Sequence, residues 1–319
     1  MRSVTGLHHV TAISGPAQEN LDFYAGVLGM RLVKKSVNQD DPGTYHLFYA
    51  DAAGHPGTDL TFFPWERMAP ARRGHGLAHE VSLAVPLGSL EFWAARLARY
   101  GVATGELEER FGERTLPLVD PHGMRLALAE CAPSPARRFE AWSASPVEAE
   151  HQVRGLHGAR AWERELAATQ RLLADAMGFR LLGEAHGWRR WGVAEGGSGQ
   201  WIDLAETPAE PRGAWGTGAI HHLAWRVYDD EHQGVVRARV ESAGSRPTPV
   251  IDRFWFRSVY FKEPGGVLFE LATDGPGFAV DEAPARLGET LVLPPWLEPH
   301  RAEIEGVLPA LEPATAERA

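Results

Sequence analysis

Two histidine pairs and one glutamate carry the clearest chemistry in this sequence: His8 and His9 in GLHHVTAI, His221 and His222 in IHHLAWRV, and Glu270 in VLFELAT. A β-strand turns alternate side chains to opposite faces. If these segments curl into one half-barrel, His9, His222 and Glu270 face inward and converge. Two neutral imidazoles and one carboxylate form the facial donor set associated with non-haem Fe(II), which leaves about three coordination positions for other ligands. Mn(II) suits the same nitrogen and oxygen donors. Glu270 stands between Phe269 and Leu271, and a carboxylate buried in such a strand is costly unless it is paired or bound to a cation. On a regular strand His8 and His221 point to the opposite face. Thr11, two residues after His9, shares the ligand face, where its hydroxyl could orient a ligand or substrate.

The elements that must position these residues come from an internal repeat. GLHHVTAI is followed by a helical run and LGMRLV at 28–33, and GLHGARAW by a helical run and MGFRLL at 177–182. His8 to His157 and Gly29 to Gly178 keep one spacing. A second pair, AHEVSLAV with IHHLAWRV and DPHGMRLALAE with EPGGVLFELAT, keeps its own, apart from a one-residue insertion after the histidines. The chain is therefore predicted to be α+β: four βαβββ modules in two paired domains, 1–138 and 150–279, with curled half-barrel sheets. The first domain supplies His9 and the second supplies His222 and Glu270. The Pro- and Ser-containing stretch 132–150 separates them, and an extension over 280–319 ends in a short helix laid against one domain.

Differences among the copies mark what was added to the scaffold. At the inner position of the opening strand the four modules carry His9, Glu80, Gly158 and His222, and at the matching position of the last strand Phe62, Ala127, Asp203 and Glu270. Only the first and fourth modules supply histidine pairs, so the site is expected between them. Glu80 and Asp203 face only Ala127 and Gly158, which argues against a second cation site. In SLEFWAARLARY at 89–100, Leu90, Trp93 and Leu97 share one helical face, and Trp93 is expected in the core. Phe62, Trp225 and the cluster Phe254, Trp255 and Phe256 would suit an apolar pocket for a ring.

Composition excludes several classes. The 319 residues carry a net charge of −10 with scattered arginines, which does not fit nucleic-acid binding. The single cysteine, Cys131, has no internal disulfide partner. The N-terminus lacks signal-peptide features, and no apolar stretch is long enough to span a bilayer. These features predict a cytoplasmic protein with no membrane partner. Homo-oligomerisation stays open.

The repeated module with HHV and PGGVLFE resembles the vicinal oxygen chelate superfamily, which includes glyoxalases, bleomycin-resistance proteins and extradiol dioxygenases. The longer strings HPGTDLTFFPW, AIHHLAW and RFWFRSVYFKEPGGVLFELATDGPGF are similar to the ring-cleaving dioxygenases that act on hydroquinones. That resemblance implies Fe(II) on His9, His222 and Glu270, with a small aromatic diol and O2 as substrates. It also implies that His8, Thr11, His221 and Tyr260 assist, with an arginine at Arg253 or Arg257. Tyr260 or His221 would move the required proton. Catechol remains an alternative diol. A glyoxalase-like isomerase or lyase would want a second carboxylate where Phe62 is placed, and a metal-free binding or resistance protein would have no use for the three donors.

Overall fold

The computed structural model describes residues 3–319. Four modules follow one another, each opening on a strand and a helix. The first comprises β1 (Leu7–Ser14), α1 (Ala17–Leu21, widening into π turns through Val27), β2 (Arg31–Asn38), β3 (Asp41–Ala50) and β4 (Asp59–Pro64). The second has β5 (Leu77–Val85), α2 (Leu90–Arg99), β6 (Glu108–Arg110), β7 (Glu113–Val119) and β8 (Arg125–Glu130). The third repeats the first with β9 (Gly155–Glu163), α3 (Ala167–Arg171, with π turns through Met177), β10 (Arg180–Ala185), β11 (Trp188–Gly192) and β12 (Trp201–Glu206). The fourth has β13 (Ile220–Val227), α4 (Asp230–Ser242), β14 (Ile251–Asp252), β15 (Arg257–Lys262) and β16 (Leu268–Thr273).

The wide helices of the first and third modules are followed by Gly29 and Gly178 at φ 69° and 80°. A side chain there would be strained, and a Cβ on Gly178 would sit 2.2 Å from that of Ser3. The repeated LGM and MGF motifs are thus helix stops. In α2 the predicted stripe is core: Leu90, Trp93 and Leu97 have no exposed surface, and the Trp93 indole donates to the His151 carbonyl at 3.0 Å.

Two eight-stranded sheets result. One runs β14-β15-β16-β13-β1-β4-β3-β2 and the other β10-β11-β12-β9-β5-β8-β7-β6. The sheets are drawn across the chain's midpoint: the first and fourth modules share one, the second and third the other. The segments 1–138 and 150–279 are therefore copies in sequence, and each contributes half of both sheets. Antiparallel seams, β1 on β13 and β5 on β9, join the modules. One apolar cluster containing side chains of all four modules fills the helix-covered faces. The linker is packed down, with Ser145 donating to the Gly29 carbonyl and Gln152 to Trp142 and Val147.

The extension closes an open sheet edge. Val292 donates to the Lys35 carbonyl of edge strand β2, and Leu293 and Ile304 pack on Val37, Ile304 from the short helix α5 (Arg301–Val307). Fully buried Lys34 is held by Asp281 at 2.7 Å and by Glu282. No helix among the described residues is long and apolar enough to cross a bilayer.

Candidate metal centre

The centre is built on two β-bulges at the seam of the outer half-barrel, the sheet of the first and fourth modules. Leu7 pairs with Trp225 and His9 with Ala224, so the ladder skips His8; Thr11 pairs with His222 and Ala12 with Ile220, so it skips His221. A bulged residue departs from strict alternation. His8 and His221 are therefore not on the opposite face as expected. Nδ1 of His8 lies 3.0 Å from Nδ1 of His9, and Nδ1 of His221 lies 2.8 Å from Nδ1 of His222.

These contacts set the state of the inner rings. Burial, reinforced by the adjacent inner histidine, lowers the pKa of His8 and of His221 to about 3. Both outer rings are neutral and can accept at Nδ1. An inner ring can then donate from Nδ1, which frees its Nε2 lone pair to turn inward. Nε2 of His9 and of His222 are 3.2 Å apart, and Glu270 Oε2 is 3.2 Å from the first and 2.9 Å from the second. All three residues are buried, Glu270 completely. Burial opposes charge on Glu270, but His9 and His222 hold its carboxyl well below the usual carboxylate range. Without a cation the imidazoles meet the Glu270 charge by donating from Nε2; with their protons on Nδ1 instead, the same three atoms are all acceptors. That donor set fits a divalent cation. Ser258 Oγ donates to the other oxygen, Glu270 Oε1, at 2.5 Å and leaves Oε2 facing the histidines.

Around the centre, His46, Phe48, Phe63, Trp255, Phe256 and Tyr260 wall a cavity of about 40 Å³. Ligand pockets usually exceed roughly 300 Å³, so a ring can enter only if a wall moves. The polar side of the cavity is clasped: Asp40 binds Arg253 at 2.8 and 3.2 Å, and Gln39 donates to the Arg253 carbonyl at 2.9 Å. The Tyr260 ring meets His222 edge-on at 5.6 Å, and burial followed by the Glu270 charge pushes its phenol pKa up, so the hydroxyl keeps its proton. A larger cavity, about 840 Å³, lies by Tyr45, Trp65 and Val307, with Glu66 as its one His, Cys, Asp or Glu side chain.

The other sequence expectations divide. Arg253 lines the cavity. Arg257 is exposed and pairs with Asp230 of α4. Its position, one residue before Ser258, puts it on the helix side of β15, so it does not belong to the site. Thr11 does not line the cavity; it reaches it through Thr61 Oγ1, at 2.7 Å, which contacts His46 Nε2 at 2.9 Å. Strand register also corrects one repeat assignment. Val10 pairs with Leu60 and Leu223 with Phe269, so the counterpart of Glu270 in the first module is Thr61 rather than Phe62. Phe62 and Trp225 are fully buried on the helix side, Phe62 against Tyr24 and Trp225 against Phe179. They are core, and of the expected aromatic pocket only Trp255 and Phe256 line the cavity, while Phe254 lies against Trp296. Sequence reasoning missed His46, whose pKa burial drives well below the usual imidazole value. In TYHLFY the core residues Tyr45, Leu47 and Tyr49 alternate with His46 and Phe48, so period-2 reading of β3 would have turned His46 toward the site.

The inner half-barrel, the sheet of the second and third modules, has no such opening. Its ladder skips His79 and His157, the same two bulge positions. Glu80 is held by Arg110, and Asp203 by Arg190 at 2.8 and 3.2 Å. A Cβ on Gly158 would meet the Trp201 ring at 2.4 Å. The carboxylates are neutralised by arginine, and an indole occupies the place of a second histidine.

The family model described as the Glyoxalase/Bleomycin resistance protein/Dioxygenase superfamily matches residues 6–128 and 155–271, the two module pairs. The chain belongs to this superfamily. Within it, the chain is 44% identical over 97% of its length to "Putative ring-cleaving dioxygenase MhqO" of Bacillus subtilis (strain 168), also covering 97% of that protein. It is 33% identical to a chlorohydroquinone/hydroquinone 1,2-dioxygenase of Sphingobium indicum, over 94% of this chain and 95% of that one. A crystal structure named "putative dioxygenase" from Bacillus subtilis subsp. subtilis str. 168 superimposes with a TM-score of 0.91 at 42% identity, covering 99% of this chain and 100% of that chain. Glyoxalase I from Zea mays, at 14% identity and a TM-score of 0.62, over 84% of this chain and 92% of that one, shares the fold.

Proposed function

We propose that this protein is a ring-cleaving dioxygenase of the cytoplasm that opens a hydroquinone-type aromatic diol, or a catechol-type one, with O2. Fe(II) would be held by His9, His222 and Glu270, with Mn(II) as the other candidate. One observation carries the reading: two imidazole nitrogens and one carboxylate oxygen meet within 3.2 Å at the seam of the outer half-barrel. The similarity to relatives named ring-cleaving and hydroquinone dioxygenases supports it. The register supports it too, since Thr61 stands where a fourth, carboxylate ligand would belong.

A bound divalent ion would lower the pKa of a diol hydroxyl and provide adjacent positions for the diol oxygen and dioxygen. The chain's own groups do the rest. His8 and His221 fix the inner imidazoles through Nδ1, and Ser258 fixes the carboxylate. Phe256, tilted over His8 and His9 with ring centroids 5.4 and 5.2 Å away, supplies an apolar wall for a flat ring. Tyr260 keeps its phenol proton and can donate it to an oxygen of the opening ring, while neutral His46 can accept one. Arg253, clasped by Asp40, closes the cavity against water.

The test is anaerobic reconstitution with Fe(II), addition of hydroquinone or a substituted hydroquinone, and measurement of O2 uptake with loss of aromatic absorbance. Stoichiometric uptake that disappears in His222→Ala is expected. A protein that binds one metal tightly yet consumes no O2 with any hydroquinone or catechol would overturn the reading.

A further inference from the structure

A second polar cavity, about 180 Å³, lies where the two half-barrels meet, and no carboxylate lines it. Its walls carry Arg72 and Arg73 from the linker between the first two modules, Arg125 at the start of β8, and His79 and His122. Among the described residues these three arginines have no ion-pair partner, although the chain carries ten more acidic than basic residues. Three guanidiniums around one cavity repel each other unless an anion sits among them.

Two further observations point to a missing ligand. Arg125 Nε is a buried N–H with no hydrogen-bond acceptor, on a side chain that cannot give up its charge. His122 has a side chain only 5% exposed; its Nε2 faces Glu19 at 3.3 Å, while its Nδ1 is buried and unpartnered. Unmet buried polar groups of this kind mark an absent water or ion. The field of the cavity is also visible in its neighbours. His79 is lowered to about 3 by burial and then by Arg125, Arg160, Arg73 and Arg110, and Arg73 is lowered by burial and by Arg125.

We propose that this cavity is a binding site for a small oxyanion, a phosphate or a carboxylate, held by Arg73 and Arg125 with Arg72 at its rim. Such an anion ties together three segments of different origin. One is the linker carrying Arg72 and Arg73; the second is the turn of His122 and Arg125; the third is the loop Thr217–Ala219 that leads into β13. The linker and that loop already run together, with Thr217 N–H on the Ala69 carbonyl and Ala71 N–H on the Thr217 carbonyl. Anion binding therefore fastens the inner half-barrel to the strand that carries His221 and His222.

Isothermal titration of the full-length protein at low ionic strength tests the site, with inorganic phosphate in one arm, succinate in a second and chloride matched for ionic strength in a third. One saturable site is expected for phosphate, succinate or both, and the arm that saturates identifies the anion class. Arg125→Gln and Arg73→Gln should each weaken it at least tenfold, and exposed Arg286→Gln should leave it unchanged. Arg73 is on the surface, so its variant tests the site even if Arg125→Gln fails to fold. Heats equal to those of chloride, or unchanged affinity in both arginine variants, would overturn the proposal. The readout is binding alone, so it stands or falls apart from the dioxygenase reading.

Discussion

The outer and inner half-barrels share strand order, seam geometry and a histidine at both bulges of the seam, and differ in what stands at four inward positions. The outer one carries His9, Thr61, His222 and Glu270; the inner one carries Glu80, Ala127, Gly158 and Asp203. Both bury acidic groups that need positive charge. The inner sheet supplies it from its own side chains: Arg110 on Glu80, Arg190 on Asp203 and on Glu113 at 2.7 Å, and Arg160 within 3.9 Å of both Glu80 and Asp203. The outer sheet sets no arginine or lysine on Glu270, whose partners are Ser258 and the two inner histidines. The same scaffold thus gives a closed structural core when arginine balances the carboxylates, and an open cation site when no arginine does.

The comparison breaks most sharply at the ligands. Glu270→Gln keeps the shape of the side chain and removes its charge, and should reduce metal content and O2 uptake by more than the roughly 10–100-fold typical of outer-sphere changes. Metal analysis beside turnover measures it, and full metal occupancy with normal uptake would refute the assignment. In the inner half-barrel the mirror experiment is Glu80→Ala. It strands Arg110, 11% exposed, with only Glu108 as partner. Leaving a buried charge wholly unpaired costs about 3–5 kcal/mol; with Glu108 still on Arg110 the loss should be a smaller part of that, which denaturant unfolding will register. Turnover per folded molecule should not change. A large loss of turnover at native stability would mean that the inner sheet takes part in the chemistry.

A smaller effect is expected where the carboxylate is aimed. Ser258→Ala removes the 2.5 Å bond to Glu270 Oε1 and frees the carboxylate to rotate. Metal affinity should fall roughly 10–100-fold, and excess metal should restore most of kcat. A defect in kcat that no metal concentration relieves would assign Ser258 a different role.

The sequence made the ligands legible because a duplicated chain serves as its own control: His9, His222 and Glu270 stand out from their counterparts. The module boundaries were legible for the same reason, through the glycine stops and strand strings. Two things were not. Bulges at His8 and His221 depend on two strands competing for register, which one strand's alternation does not encode. The meeting of first module with fourth was legible through their histidines, but that each half of the chain contributes to both sheets was not, since it depends on which edges meet across the seam. His46 and Thr61 were overlooked because their importance comes from strands laid beside the ligands, not from any motif of their own. Arg257 stood beside Arg253 as an alternative because the two arginines flank the same turn, and only the facing of β15, which turns Arg257 to the helix side, separates them.

The last prediction concerns the place where the two half-barrels touch. Glu163, at the end of β9, and Glu263, in the turn before β16, are both buried. Glu263 accepts from Thr169 Oγ1 at 2.5 Å and from the backbone N–H groups of Gly265 and Val267 at 2.8 and 2.7 Å, so it is the member that carries the charge. Glu163 has no such donors; burial and the Glu263 charge push its pKa up to about 9, and it holds the proton between them. In the unfolded chain Glu163 ionises near 4.3. Between these values the folded protein binds one more proton than the unfolded one, so this pair's contribution is full below about pH 4.3 and is lost as pH rises toward 9. The slope is at most about 1.4 kcal/mol per pH unit. Glu163→Gln keeps a donor facing Glu263 and removes the titration. Unfolding free energies of the two proteins, compared from pH 7 to 9, should diverge in favour of the variant. His8 and His221 titrate well below that range and cancel in the difference. Parallel curves would show that the seam between the half-barrels holds no shared proton.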